Sequence, residues 1–100
     1  MAVDAIYSLN GSEFEWNVEK AASNYEKHGV TFEEAAQTFF DEGQQLGDAS
    51  VPEETRDYLI GYNFAGNILM TVYVERGVRT RIISARPATP KEKRKYERGE

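Results

Sequence analysis

The chain has 100 residues, 40% of them hydrophobic and 12% aromatic, which predicts a single compact domain and excludes a disordered tail. It contains no cysteine, which excludes disulfides and thiolate metal sites and favours a reducing, cytoplasmic compartment. No apolar run approaches the roughly 18 residues of a membrane span, and the first residues lack the pattern of a secretory leader, so we expect a soluble intracellular protein.

Charge is distributed unevenly along the chain. The formal net charge is −5, but nine of the twelve Lys and Arg residues lie after residue 75. Residues 1–75 therefore carry a charge of about −11, and residues 76–100 carry about +6. A concentrated basic segment binds phosphate groups whatever the net charge, which makes the C-terminal quarter a candidate nucleic-acid-binding surface. The alternative is that this segment only neutralises the acidic part of the same fold.

The start of the chain predicts an extension followed by a helix. Residues 1–12 show no clear periodicity and end in Asn-Gly-Ser, a turn sequence, so we interpret them as a poorly ordered extension of a domain that begins at Glu13. Asn17 is placed to cap a helix with apolar residues at helical spacing. That helix is expected to stop at Gly29, because glycine adopts the left-handed conformation that ends helices.

A second helix and a loop follow. Thr31 and Glu34 form the pattern of a capping box, and an apolar stripe continues from Phe32 to Phe40. Residues 41–52 are polar and contain glycines and a proline, so they predict a loop with a short strand at Gln45–Leu46. The pattern of both helices indicates core packing rather than chemistry.

The second half of the chain predicts strands and a last helix. Residues 55–62, 67–75 and 78–85 are rich in β-branched and aromatic residues, and the short links between them favour antiparallel hairpins. Thr89 is placed to cap a charged helix that begins with Pro90.

These elements predict an α+β fold in which two N-terminal helices pack on an antiparallel β-sheet, with a basic C-terminal helix. The residues expected to pack the two helices against the sheet are Ala22, Tyr25, Phe32, Ala36, Phe39 and Phe40.

The last predicted strand carries the candidate chemistry. Arg79 and Arg81 share one face because side chains alternate along a strand. A guanidinium group binds two phosphate oxygens at once through two parallel hydrogen bonds. Strand pairing is able to bring Glu54 and Arg56 near Arg81. A carboxylate beside several arginines is either a salt bridge that holds the fold or a base beside a phosphate clamp.

Two segments of the chain resemble a known family. The first spans Phe14–Asn17, Lys20, Asn24, Lys27–Val30 and Phe32–Ala35, and the second comprises Glu54, Arg56, Gly61, Arg81–Thr89, Glu92, Tyr96 and Glu97. Together they resemble BrnT-type toxins over roughly residues 13–97. The resemblance implies one BrnT-like domain over residues 13–100 with a RelE-like fold.

The resemblance also implies a function and partners. BrnT toxins are the toxin half of a type II toxin–antitoxin pair, cleave RNA, and are neutralised by a BrnA antitoxin that carries a ribbon-helix-helix. The two proteins form a heterotetramer that represses its own operon, so operator DNA is expected to be contacted only through the antitoxin. No cofactor, metal or membrane partner is expected.

The reaction implied by the family suits these residue types. Metal-free cleavage by the ribose 2′-hydroxyl needs a base, cations that stabilise charge on phosphorus, and an acid for the 5′ oxygen. We expect Arg81 and Arg86 as phosphate clamps, Arg56 as a further stabiliser and Glu54 as the base. Tyr96 is the fifth candidate catalytic residue, with packing of the last helix as its alternative. The candidate RNA-binding residues are Arg79, Lys91, Arg94 and Lys95.

The histidine content of the chain limits the possible mechanisms. His28 is the one histidine, which excludes a mechanism based on two histidines, and we interpret it as a helix cap. Family members often carry a histidine before the Glu-x-Arg element, whereas residues 47–52 contain none. The alternatives to a toxin ribonuclease are therefore a binding module that serves as antitoxin partner and co-repressor, and a structural domain whose basic end pairs with its own acidic half.

Overall fold

The structure is a computed structural model that describes residues 3–100. Its elements, in chain order, are β1 (Asp4–Leu9), β2 (Ser12–Asn17), α1 (Val18–His28), α2 (Phe32–Gln37), a 3₁₀ turn (Thr38–Phe40), β3 (Gln45–Asp48), β4 (Asp57–Tyr62), β5 (Ile68–Arg76), β6 (Arg79–Pro87) and α3 (Pro90–Arg98). The six strands form one sheet in the order β1-β2-β6-β5-β4-β3. None of the helices in residues 3–100 is long and apolar enough to cross a membrane.

The fold is α+β as predicted, but the prediction of two N-terminal helices is wrong. A hairpin of β1 and β2 precedes α1, and residues 4–9 of the expected extension form β1. Asn10 and Gly11 both have positive φ, 49° and 81°, which suits the tight two-residue turn that joins two antiparallel strands. Residues 1 and 2 lie outside the described part of the chain.

The prediction of an antiparallel sheet is also wrong in one place. β2 runs parallel to β6, with Glu13 opposite Arg79 and Glu15 opposite Arg81. The other strand pairs are antiparallel. A parallel pair needs a long connection, and here α1, α2 and three strands separate the two partners in sequence.

The predicted ends of the helices are confirmed. Asn17 accepts a hydrogen bond from the backbone N–H of Lys20 at 2.9 Å, and Gly29 ends α1 with φ of 68°. Thr31 and Glu34 form the capping box of α2. Thr89 caps α3, which begins with a proline.

The packing of α1 differs from the prediction. Ala22 and Tyr25 are exposed, and Tyr25 keeps 55% of its accessible surface. The buried residue of α1 is instead polar: Asn24 is 7% exposed. Its side-chain amide donates to the Ala85 carbonyl at 2.8 Å, and its oxygen accepts the Ala85 N–H at 3.0 Å. Asn24 therefore supplies the hydrogen bonds that a neighbouring strand would make to Ala85, at a point where β2 no longer pairs with β6.

The main core lies between α2 and one face of the sheet. Phe32, Ala35 and Ala36 of α2 are fully buried, and Phe14 of β2 meets the ring of Phe39 edge-on at 5.2 Å. The packing predicted for Phe32 and Ala36 is confirmed, and that of Phe39 is confirmed as a half-buried contact with this core. A smaller apolar cluster on the other face carries α3 and contains Ile60, Ile68 and Ala88.

Replacing Asn24 with alanine should destabilise the fold. The buried N–H and C=O of Ala85 lose their partners, and we expect the free energy of unfolding in urea to fall by about 2–3 kcal/mol. The matched control is Ser23→Ala on the exposed side of the same turn, with an expected change below about 0.5 kcal/mol. Equal effects of the two variants would show that the edge of β6 does not depend on the amide.

Candidate functional site

Four arginines lie on the sheet face opposite α2, which we call the arginine face. Strand register places Arg76 opposite Arg79, Val74 opposite Arg81 and Met70 opposite Arg86. Residues at the alternate positions of these strands, such as Leu69 and Ile82, are buried in the main core. Alternation places Arg79 and Arg81 on this face, and the register shift between Val72 and Tyr73 in the pairing of β5 with β6 brings Arg86 to the same face.

Arg81 is held by two carboxylates from the N-terminal hairpin. Its guanidinium donates to Glu15 at 2.5 Å and to both oxygens of Asp4 at 3.1 Å. Only 15% of the Arg81 side chain is exposed. The hydrogen bonds that Arg81 donates to Asp4 raise the pKa of Arg81 and lower the pKa of Asp4. The carboxylates that reach Arg81 are thus Asp4 and Glu15, and the structure does not pair Arg81 with Glu54.

Glu54 and Arg56 form a second cluster, together with Arg76. The Glu54 carboxylate accepts from Arg56 Nε at 2.8 Å and lies 3.8 Å from an Arg76 nitrogen. The hydrogen bond from Arg56 lowers the pKa of Glu54 against a smaller opposing effect of burial, and the charges of Arg56, Arg76 and Lys20 lower it further. Two arginines therefore share one carboxylate, the reverse of the ratio at Arg81.

Glu54 and Arg56 lie on a loop rather than on a strand, whereas Arg76 is the last residue of β5. β4 begins at Asp57, so the predicted strand start at residue 55 is wrong. Val51 and Glu54 exchange backbone hydrogen bonds, and the hydroxyl of Ser50 accepts from the Arg56 N–H at 3.0 Å. Asp48 accepts in turn from the Ser50 hydroxyl. These local bonds fix the backbone on both sides of Glu54.

Arg86 is paired with α3. It donates to both oxygens of Glu92, at 2.8 and 3.0 Å, and 32% of its side chain is exposed. The hydrogen bonds from Arg86 lower the pKa of Glu92, with burial opposing. The same carboxylate completes the capping box of α3 by accepting from the Thr89 N–H at 2.8 Å. Arg86 therefore ties the end of β6 to the start of α3.

Tyr96 anchors α3 to the sheet. Its hydroxyl donates to Asp41, which also accepts from the backbone N–H groups of Tyr62 and Gly43 at 2.8 and 2.9 Å. The Tyr96 ring meets Tyr62 edge-on at 5.3 Å. Burial and the bond to Asp41 raise the pKa of Tyr96, so it stays protonated. These contacts support the packing role that the sequence left as the alternative for Tyr96.

The candidate RNA-binding residues divide into two groups. Arg79 pairs with Glu13 at 3.1 Å. Lys91, Arg94 and Lys95 are exposed on α3 and form no ion pair within residues 3–100. The outer side of α3 is therefore the least neutralised part of the basic segment.

Comparison with known proteins now identifies the family. The family model described as "Ribonuclease toxin, BrnT, of type II toxin-antitoxin system" matches residues 16–92, which is more than half of the chain. The chain belongs to the BrnT family. No curated protein sequence matches it. Membership places the chain in a family of type II ribonuclease toxins and implies an antitoxin partner.

Some residues of the site lie outside the range that the family model matches. Asp4 and Glu15 precede residue 16, and Tyr96 follows residue 92. The BrnT match therefore includes Arg81 and Arg86, whereas Asp4 and Glu15, the two carboxylates that pair with Arg81, come from the part of the β1–β2 hairpin that precedes the match.

Several site residues escaped sequence reasoning. Arg76, Asp4 and Asp41 were assigned no role in the site from the sequence. A signal existed in β2, where acidic and apolar residues alternate from Glu13 to Trp16, which is the pattern of a half-buried strand. Within residues 3–100 no group of three His, Asp or Glu side chains is arranged to hold a metal ion.

Replacing Arg81 should destabilise the protein, because Glu15 is only 14% exposed and loses its cation. We expect Arg81→Ala to lower the free energy of unfolding by about 2 kcal/mol, and Arg79→Ala, which breaks a more exposed pair, to lower it by less than about 1 kcal/mol. Adding Glu15→Gln to Arg81→Ala should restore part of the loss. Urea unfolding of the four proteins tests this, and equal costs for the two arginines would contradict it.

Proposed function

We propose that the protein is an endoribonuclease toxin that cleaves RNA without a metal ion and is silenced by a BrnA-like ribbon-helix-helix antitoxin. The observation that carries the proposal is the BrnT match over residues 16–92. The antitoxin brings the toxin to operator DNA, and the two proteins form the heterotetramer implied by the resemblance.

The proposed reaction is an internal transesterification. The ribose 2′-oxygen attacks the adjacent phosphorus, the bond from phosphorus to the 5′ oxygen breaks, and the proton lost by the 2′-hydroxyl is matched by one gained at the 5′ oxygen. The protein must accept a proton, stabilise the added charge on phosphorus and protonate the leaving oxygen. RelE-like nucleases do this with Arg, Lys, Tyr and Glu, residue types that this chain supplies.

The Glu54 cluster supports the first two of these roles best. Glu54 is ionised at neutral pH, the state that a base needs, and the arginines that lower its pKa stabilise that state while weakening Glu54 as a proton acceptor. With two arginines and one carboxylate, the cluster has an excess of positive charge, which attracts a phosphate group. We assign Glu54 as the base and Arg56 as the group that stabilises the pentacoordinate phosphorus.

Arg81 and Arg86 remain proposed phosphate-binding residues, but each must exchange an existing carboxylate contact for the phosphate. A phosphate at Arg81 competes with two carboxylates, and one at Arg86 competes with a paired, two-point contact. Arg81 lies in an excess of negative charge, so its contribution to binding depends on movement of Asp4, the more exposed partner with 52% of its side chain accessible.

A second candidate function is a binding module that has lost cleavage. The observation that favours it is that all four arginines of the arginine face already have carboxylate partners. Such a protein would bind its antitoxin and repress the operon without degrading RNA. Measuring RNA integrity after expression with and without the antitoxin separates the two candidates.

Removing the proposed base should abolish most cleavage. We expect Glu54→Gln and Arg56→Ala each to lower kcat by roughly a hundredfold or more, with little change in thermal midpoint. The matched control is Glu53→Gln, an exposed neighbour, which should cleave like the parent. Because the pKa of Glu54 lies below its ordinary value of 4.5, the pH at which protonation of Glu54 halves kcat/KM should lie below 4.5. Full activity of Glu54→Gln would refute the assignment.

The antitoxin complex should be sensitive to salt. The basic segment carries about +6, and its outer cations on α3 suit an acidic or amphipathic antitoxin segment. We expect a BrnA-like protein to copurify when the native operon is expressed, and the dissociation constant to rise with ionic strength. Repeated failure to copurify with the product of a proven neighbouring gene would contradict the assignment of this partner.

A further inference from the structure

A cavity of about 260 Å³ lies between α1 and β6, and the roles described so far leave it unassigned. It is smaller than the roughly 300–1,000 Å³ typical of sites for drug-sized ligands, and its size suits a compact group such as a phosphodiester. The polar side chains that line it, apart from Asn24, are Lys20, Ser23, Lys27, His28 and Ser84.

The cavity is lined by two of the few positively charged residues in the first 75 residues of the chain. Lys20, Ser23 and Lys27 follow the i, i+3, i+7 spacing that places side chains on one face of a helix. Residues 1–75 contain only three Lys and Arg residues against fourteen carboxylates, and two of the three cations line this one cavity. Ser84 completes the other wall from β6, beside the register shift of its pairing with β5.

The donors in this cavity are uncommitted. The side chains of Lys20, Ser23, Lys27, His28 and Ser84 make no hydrogen bond or ion pair within residues 3–100. Asn24, by contrast, already uses its side-chain amide to bond the backbone of β6. The arginines of the arginine face are likewise already paired with carboxylates. An anion entering the cavity therefore displaces only water.

We propose that this cavity binds a backbone phosphate of the RNA substrate, with Lys20 and Lys27 neutralising it and the Ser23 and Ser84 hydroxyls donating to its oxygens. The inference rests on the proposed RNA cleavage and adds a binding subsite to it.

The position of Lys20 connects the cavity to the Glu54 cluster. Its charge is among those that lower the pKa of Glu54, which puts the start of α1 within electrostatic range of that carboxylate. In the proposed complex the RNA strand continues from Lys20 and Lys27 toward Glu54 and Arg56.

Salt-dependent binding tests the subsite. The probe is a fluorescent single-stranded RNA with 2′-O-methyl groups, which binds without being cleaved, and its dissociation constant is measured by anisotropy over a series of salt concentrations. For Lys20→Ala/Lys27→Ala we expect the slope of log K against log salt to fall by about 1.4, and affinity at 0.1 M salt to fall about 25-fold. Lys20→Arg/Lys27→Arg should bind like the parent, because the charge is kept.

The control is Lys93→Ala, which removes a lysine from the side of α3 that faces another cavity, away from Lys91, Arg94 and Lys95. It should leave the slope nearly unchanged. An unaltered slope for the double alanine variant, in a parent that binds and cleaves RNA, overturns the subsite alone. Loss of antitoxin copurification with intact RNA binding overturns it in favour of a protein ligand. A parent that neither binds nor cleaves RNA overturns the proposed function as well.

Discussion

Hydrogen bonding along one side of β6 is the constraint on which the rest of the structure depends. β2 pairs with Arg79–Arg81 and then ends, and the side-chain amide of Asn24 satisfies the backbone of Ala85 farther along. Both partners come from one continuous segment, because α1 follows β2 directly. An unpaired buried N–H or C=O is costly, so this segment cannot shift along β6 without exposing or orphaning backbone groups. The position of α1, and hence of Lys20 and Lys27, follows from that requirement.

Local charge ratios, rather than net charge, distinguish the arginines of the site. The guanidinium of Arg81 meets two carboxylates and lies mostly out of solvent, an arrangement typical of a structural ion pair. Around Glu54 the ratio is reversed, and the groups are more accessible. A chain with a formal charge of −5 can therefore still present a small surface with excess positive charge.

Local sequence patterns predicted the fold well where the decisive interactions are local. The caps at Asn17, Thr31 and Thr89 and the stop at Gly29 depend on residues three or four positions apart, and all four are confirmed. The β1–β2 hairpin was missed although Asn10-Gly11 is a strong turn sequence, because the outward-facing Ile6 breaks the expected alternation and keeps 58% of its surface exposed.

Long-range pairing explains what the sequence could not predict about the site. Strand alternation, a local property, correctly predicted that Arg79 and Arg81 share a face. Arg86 joins them only through the register shift between β5 and β6, which alternation does not predict. Their partners were not predictable, since Asp4 lies 77 positions from Arg81 and Asp41 lies 55 positions from Tyr96. The register of β2 against β6 decides which carboxylate faces which arginine, and nothing within either strand specifies that register on its own.

The double use of Glu92 has a consequence for how α3 responds to ligands. One carboxylate oxygen accepts from both Arg86 and the Thr89 N–H, so the guanidinium and the first turn of the helix share an acceptor. Any anion that draws Arg86 away removes the cation that orients Glu92, and fraying of the first turn of α3 in turn leaves Arg86 more accessible. By thermodynamic reciprocity the two events favour each other to the same extent. Occupancy at the end of β6 and order at the start of the basic helix are thus a single coupled equilibrium.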